Sequence, residues 1–176
     1  MNKRLMKKYG NPKKILFLDC DGVLNSETYF KHNNFDYTNT CNAYKYNHDI
    51  ECIKRLKKII KETNCKIVLS STWKFFYFAD DRYFSNKLRK LFNNKYKIRI
   101  IDRTTFKYKT IGKYQKRAYQ IKQYLLDHKN IVKYAILDDD SNDEDDLTLF
   151  GDHFVPTTWT NGLQDEHVNK CIKLLK

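Results

Sequence analysis

Ile15-Leu16-Phe17-Leu18 is an unbroken apolar run that stops abruptly at Asp19. A run without alternation predicts a strand buried on both faces, here starting at Lys14, as in a parallel sheet. Cys65–Leu69 and Val132–Leu137 repeat the pattern, and Lys97–Ile101 and His153–Val155 are shorter versions. Between these runs apolar residues recur at helical spacing. They are Ile50, Ile53, Leu56 and Ile59/Ile60; then Phe84, Leu88 and Leu91; then Tyr114, Ala118, Ile121 and Leu125. Gln164–Leu175 closes the chain as a helix using Val168, Cys171 or Ile172, and Leu175. Asn47 and Asp80 are candidate N-caps for the first two helices. Residues 26–47 are rich in Asn, Tyr, Thr and His without periodicity, and predict a loop or small cap inserted in a single domain spanning 1–176. Residues 73–80 read as irregular and aromatic, 102–112 as a basic loop and Asp138–Asp146 as an acidic loop. Strands alternating with helices predict an α/β fold with a parallel sheet.

Ligands of such sheets sit beyond the carboxyl ends of the strands. The first strand ends in Asp19-Cys20-Asp21-Gly22-Val23-Leu24-Asn25. Two carboxylates after a buried strand are costly unless a cation or a proton neutralises them. The second ends in Ser70-Ser71-Thr72-Trp73-Lys74, offering hydroxyls and backbone N–H donors, and the fourth in Asp138-Asp139-Asp140. Lys113, Lys116 and Arg117 lie at a helix start, where acids are the usual choice, so cations there point to an anion nearby. These are the parts of a phosphoryl-transfer site. One carboxylate attacks phosphorus, a second exchanges the leaving-group proton, others hold Mg2+, and a hydroxyl and a cation neutralise the phosphoryl oxygens. Each piece alone reads equally well as a turn, a cap or a solvated face. All of them in this order do not. The chain order also excludes a receiver domain, which gathers similar groups in another sequence.

Hydrophobic residues make up 41% and aromatic residues 15%, which excludes general disorder. Ile15–Leu18 is the longest clean apolar run, too short for a membrane span, so no membrane partner is expected. Met1–Lys14 is basic but is followed by no signal-peptide pattern. The five cysteines are scattered without a CxxC pair, which predicts a reducing, cytoplasmic setting. The five histidines show no metal spacing. The net charge of +13 is uneven: residues 81–133 carry +13 and residues 134–176 carry −7. A basic middle suggests a polyanionic partner, either nucleic acid or nucleotide. Base composition is the competing source, since lysine outnumbers arginine 27 to 7 and Asn, Tyr and Ile are abundant. Lys107, Lys109 and Lys113 are the candidate substrate-binding cations, with Ser71 beside the phosphate-binding serine. The run Trp73–Phe78 reads as packing, with base stacking as its functional alternative.

The chain resembles the haloacid dehalogenase (HAD) superfamily. Ile15–Asn25 looks like its first motif, hhhhDxDGxx, Ile67–Ser70 like its second and Ala135–Asp139 like its fourth, hhhhDD. Leu69–Lys74, Ile136–Asp140 and Thr160-Asn161-Gly162-Leu163 are similar to stretches of small HAD proteins, including the domain of Swiss Army knife RNA-repair proteins. The resemblance implies a Rossmannoid three-layer sandwich with strand order 5-4-1-2-3. The chemistry asks for the same neighbours, because strand one must lie between the strands delivering Ser70 and Asp138. It implies a phosphohydrolase with Asp19 as nucleophile, Asp21 as general acid/base with its carbonyl facing Mg2+, and Ser70 on the phosphoryl group. Asp138 and Asp139 would ligate the metal, with Asp143 an outer candidate. Arg117 matches the relatives' cation, Lys116 and Lys113 being alternatives. Cys20 should point away from the site. The substrate classes left open are nucleic-acid ends, nucleotides, small metabolites and phosphoproteins. The rival from another class is a nucleic-acid-binding module with a vestigial site.

Overall fold

The computed structural model describes residues 12–35, 48–78, 82–105, 116–140 and 146–176. Five parallel strands form one sheet: β1 (Lys14–Leu18), β2 (Lys66–Leu69), β3 (Ile100–Arg103), β4 (Lys133–Asp138) and β5 (Phe154–Pro156). Their order is β3-β2-β1-β4-β5, the expected order read from the other edge. Ile15, Leu16, Phe17 and Leu18 are all fully buried. Leu16 and Leu18 face one apolar layer, Ile15 and Phe17 the other. Each such side chain contributes roughly 1.5–3 kcal/mol relative to exposure, so the run without alternation is what a strand covered on both faces requires.

The Leu16/Leu18 face is covered by α2 (Ile50–Thr63), by α6 (Asp165–Leu175) and, through Leu88 and Phe92, by α4 (Arg82–Lys90) and the π-helical turn after it. The opposite face is covered by α5 (Arg117–Asp127) through Ala118, Ile121 and Tyr124, with Leu147 of a 3-10 segment (Leu147–His153). Two short helices complete the described elements: α1 (Glu27–His32) and α3 (Lys74–Tyr77). Among the described residues, no helix is long and apolar enough to cross a membrane.

Several boundaries differ from those expected. Asp49 caps α2, accepting from the Glu51 N–H at 2.8 Å, whereas Asn47 lies outside the described residues. The third strand is shifted to Ile100–Arg103. Lys97 adopts φ 57° and Ile98 donates to Phe92 O, so Ile98 packs in the helical layer instead of entering the sheet. The aromatic stretch after β2 holds the short helix α3 where irregular chain was expected. Of the expected cap, residues 26–35 are described. Ser26 caps α1 by accepting from Tyr29, and Phe30 is buried with its ring 5.3 Å from Phe35 and 5.9 Å from Trp159. Residues 36–47 of the expected cap lie outside the described residues.

Candidate active site

Sheet register builds the site. Leu18 pairs with Leu69 on one side and Leu137 on the other, so three strands end level. The next residue of each is polar: Asp19, Ser70 and Asp138. Asp19 donates its N–H to Leu137 O at 2.9 Å, and Ser70 and Ser71 donate theirs to Leu18 O at 3.1 and 3.3 Å. Two of the backbone donors expected after β2 are therefore spent on the sheet, and the Ser70 hydroxyl stands beside them at the strand end. It is buried and has no hydrogen-bond partner among the described residues.

Carboxylate oxygens of Asp19, Asp138 and Asp139 all lie within 4.8 Å of one another. Arg117, the first residue of α5, reaches into this group. Its Nη1 donates to Asp138 Oδ2 and lies 3.5 Å from Asp19 Oδ1. Among the described residues, one guanidinium faces three carboxylates. Burial first, then Asp19, pushes the Asp138 carboxyl well above its usual range despite Arg117. The same two causes push Asp139 up to about 7. Protons or a cation must take up the excess charge. The donors are hard oxygens, and buried Asp138 Oδ1 has no hydrogen-bond partner among the described residues. Mg2+ binds oxygens at about 2.0–2.1 Å, so opposed ligands stand about 4 Å apart. The donor set, three carboxylates offering hard oxygens, suits such an ion.

The second aspartate of the pair stands apart from that cluster. Asp21 accepts from Asn25 Nδ2 at 3.0 Å on Oδ1 and from Trp73 Nε1 at 2.8 Å on Oδ2. Gly22, at φ +64°, turns the chain so closely past β4 that a Cβ there would lie 2.0 Å from Asp139 Oδ2. Its carbonyl accepts from the Thr157 hydroxyl at 2.7 Å, and the Thr157 N–H donates to Asp138 O at 2.8 Å. Thr157 thus ties the two acidic loops together. The Thr160–Leu163 stretch braces the same loop, with Leu163 N–H donating to Val23 O.

Other expected site residues fall elsewhere. Ser71 is fully buried and its hydroxyl accepts from Trp73 N, so it builds the turn. Lys116 Nζ pairs with Asp146 at 2.9 Å, and Arg117 is the cation that reaches Asp19 and Asp138. Lys107, Lys109, Lys113 and Asp143 lie outside the described residues. Cys20 is buried in the apolar layer, and burial raises its thiol well above the ordinary value. Sequence reasoning read Trp73 and Lys74 as part of an aromatic packing run with base stacking as its alternative, and assigned no role to the side chains of Asn25 or Thr157. Buried Lys74 donates to Ser70 O at 3.1 Å, to Thr104 Oγ1 at 3.0 Å and to Gln120 Oε1. It therefore clamps the end of β2 to the helix that carries Arg117. A buried lysine is rare without partners, but nothing in its local sequence marks it.

The pKa directions have a consequence. Between pH about 4 and about 7 the native cluster keeps a proton that an unfolded aspartate has released. Without metal, stability therefore falls as pH rises through that window. His48 acts oppositely, because burial lowers it to about 3 from 6.5 and its contribution is gained as pH rises to about 6.5. The carboxylate effect is thus read cleanly above about pH 6.5. In EDTA the melting temperature should drop from pH 6.5 to 8, and Mg2+ should suppress the drop. A flat or rising profile in EDTA would contradict a repulsive cluster.

Neither the curated proteins nor the solved structures gave a match to this chain. The family described as "HAD domain in Swiss Army Knife RNA repair proteins" matches residues 15–168, a span that runs from β1 into α6. With both acidic loops and all five strands inside that span, the chain belongs to this family and is a hydrolase-type domain of the haloacid dehalogenase superfamily.

Proposed function

We propose that the protein is a Mg2+-dependent phosphomonoester hydrolase working through an aspartyl-phosphate. The observation that carries this reading is the convergence of Asp19, Ser70, Arg117 and Asp138 at the level ends of β2, β1 and β4. An Asp19 oxygen attacks phosphorus as the bond to the leaving oxygen breaks. Asp21 gives that oxygen its proton. Water then attacks the acyl phosphate, passes its proton to Asp21 and releases inorganic phosphate, which regenerates the Asp19 carboxylate. The Ser70 hydroxyl and the Arg117 guanidinium neutralise phosphoryl oxygens during both steps. Asp19, Asp138 and Asp139, with the Asp21 carbonyl, would hold Mg2+, which would supply further charge neutralisation.

The substrate class we favour is a phosphorylated nucleic-acid end or nucleotide. Two facts support it: the matched family is named for RNA-repair proteins, and residues 81–133 carry the chain's excess positive charge. The test compares end-phosphorylated oligonucleotides, nucleotides, sugar phosphates and phosphopeptides, each with Mg2+ and with EDTA. Phosphate release that needs Mg2+ and is fastest on oligonucleotides or nucleotides is the expected result. Oligonucleotide binding should also weaken steeply with salt, and Lys107→Glu/Lys109→Glu should raise KM for oligonucleotides more than for an aryl phosphate. Equal changes would leave the phosphatase and remove the nucleic acid. Binding without turnover on every substrate would favour a vestigial site.

A further inference from the structure

Trp73 is the largest fully buried side chain of the domain, yet its polar edge touches the site. Its indole N–H donates to Asp21 Oδ2 at 2.8 Å. The opposite carboxylate oxygen of Asp21 accepts from Asn25, whose own Oδ1 is fixed by Gly22 N–H at 3.2 Å. Two donors on different oxygens bear on the orientation of the carboxylate plane. The indole itself is held firmly. Trp73 N–H donates to Ser71 Oγ, and its ring lies 5.0 Å from the buried His48 ring, which also contacts Phe92 and Tyr96. His48 Nδ1 is 3.0 Å from Tyr96 Oη, which fixes that ring in turn. An aromatic box built from the segment before α2, the turn after β2 and the π-helical turn thus ends in a single N–H aimed at Asp21.

We propose that Trp73 is a positioning residue: its indole N–H holds the Asp21 carboxyl in the orientation that delivers a proton to the leaving-group oxygen. The inference rests on the phosphatase reading above, in which Asp21 loses a proton to that oxygen as the P–O bond breaks. Packing alone would explain the buried ring, but packing does not require the nitrogen to face a carboxylate.

Leaving-group dependence separates the two roles. An alkoxide needs a proton to depart, whereas nitrophenolate departs without one. The measurement is kcat/KM, which reports on steps through leaving-group departure, for glycerol 2-phosphate and for p-nitrophenyl phosphate. Two changes are compared with wild type in the full chain: Trp73→Phe, and replacement of the Trp73 indole by benzothiophene. The second keeps the ring's shape and deletes only the N–H, so it carries the test even if the first unfolds. The expected result is a fall of about tenfold or more for the alkyl phosphate, with p-nitrophenyl phosphate changing less than about threefold. An equal fall on both substrates, or no fall with benzothiophene, would overturn the role of Trp73 while leaving the phosphatase intact. A wild-type protein that hydrolyses neither substrate would instead remove the phosphatase reading, and this inference with it.

Discussion

Asp19→Asn is expected to lower turnover by about a thousandfold or more while leaving the fold in place. The carboxamide is a far weaker nucleophile than the carboxylate, and no neighbouring side chain can substitute for it at the end of β1. The same change should make the metal-free protein more stable. Asp19 is the charged neighbour that pushes up both Asp138 and Asp139, so removing it relieves repulsion within the buried cluster. The neutral side chain keeps nearly the same volume at a position that is 4% exposed. Opposite signs for activity and metal-free melting temperature are the signature of a charge kept for chemistry and not for folding. Mg2+ should also raise the variant's melting temperature less than that of the wild type. A purified variant keeping more than a few per cent of the activity would rule out covalent catalysis at Asp19.

Gly22→Ala should be the second most damaging single change. The backbone there is left-handed, which costs an L-residue about 1–2 kcal/mol. The larger effect is steric, because the new methyl would lie 2.0 Å from Asp139 Oδ2. Either Asp139 leaves the cluster or the Gly22 turn opens and takes Asp21 with it. Displacing a catalytic group by about 1 Å can cost about a hundredfold in rate, and that loss is expected here, together with weaker Mg2+ binding by calorimetry. Gly151→Ala is the control. Gly151 also has positive φ, at 52°, but nothing lies within 4 Å of a Cβ there. It should lose stability and keep activity. If both variants lose activity alike, the close approach of Gly22 to Asp139 has no bearing on the site.

The sheet and the acidic pair were legible because their signals are local. The run Ile15–Leu18 could only be a strand covered on both faces, and Asp19 directly after it had to lie at the strand's end. The central neighbours followed from asking which strand must stand between Ser70 and Asp138, and the full order from the resemblance to the haloacid dehalogenase superfamily. What escaped were contacts closed by tertiary structure. Lys74 stands in an aromatic run with nothing to single it out until Thr104 and Gln120 fold over it. Trp73 reads as core, and only its side-chain direction brings the nitrogen to Asp21. Two adjacent cations, Lys116 and Arg117, were equivalent by composition. The helix start separates them, sending Lys116 to Asp146 and Arg117 to Asp19 and Asp138. The third strand slipped because Ile98, apolar and flanked by cations, fits a strand and a helix-layer contact equally well on paper.

The level strand ends have a kinetic consequence. Asp19 and Asp138 belong to strands far apart in the chain, and their parallel pairing closes only after α2 through α5 have crossed over the sheet. Such long-range pairing is slow to form. The carboxylates are therefore brought together when β4 docks beside β1, and their mutual repulsion is met at that point and not in the early helical units. A cation that needs all of them in their final geometry gains its full contacts only in the native state, past the barrier at which β4 first docks. It should leave the folding rate nearly unchanged and slow unfolding instead, so that the ion acts on the lifetime of the folded chain more than on how quickly it is reached.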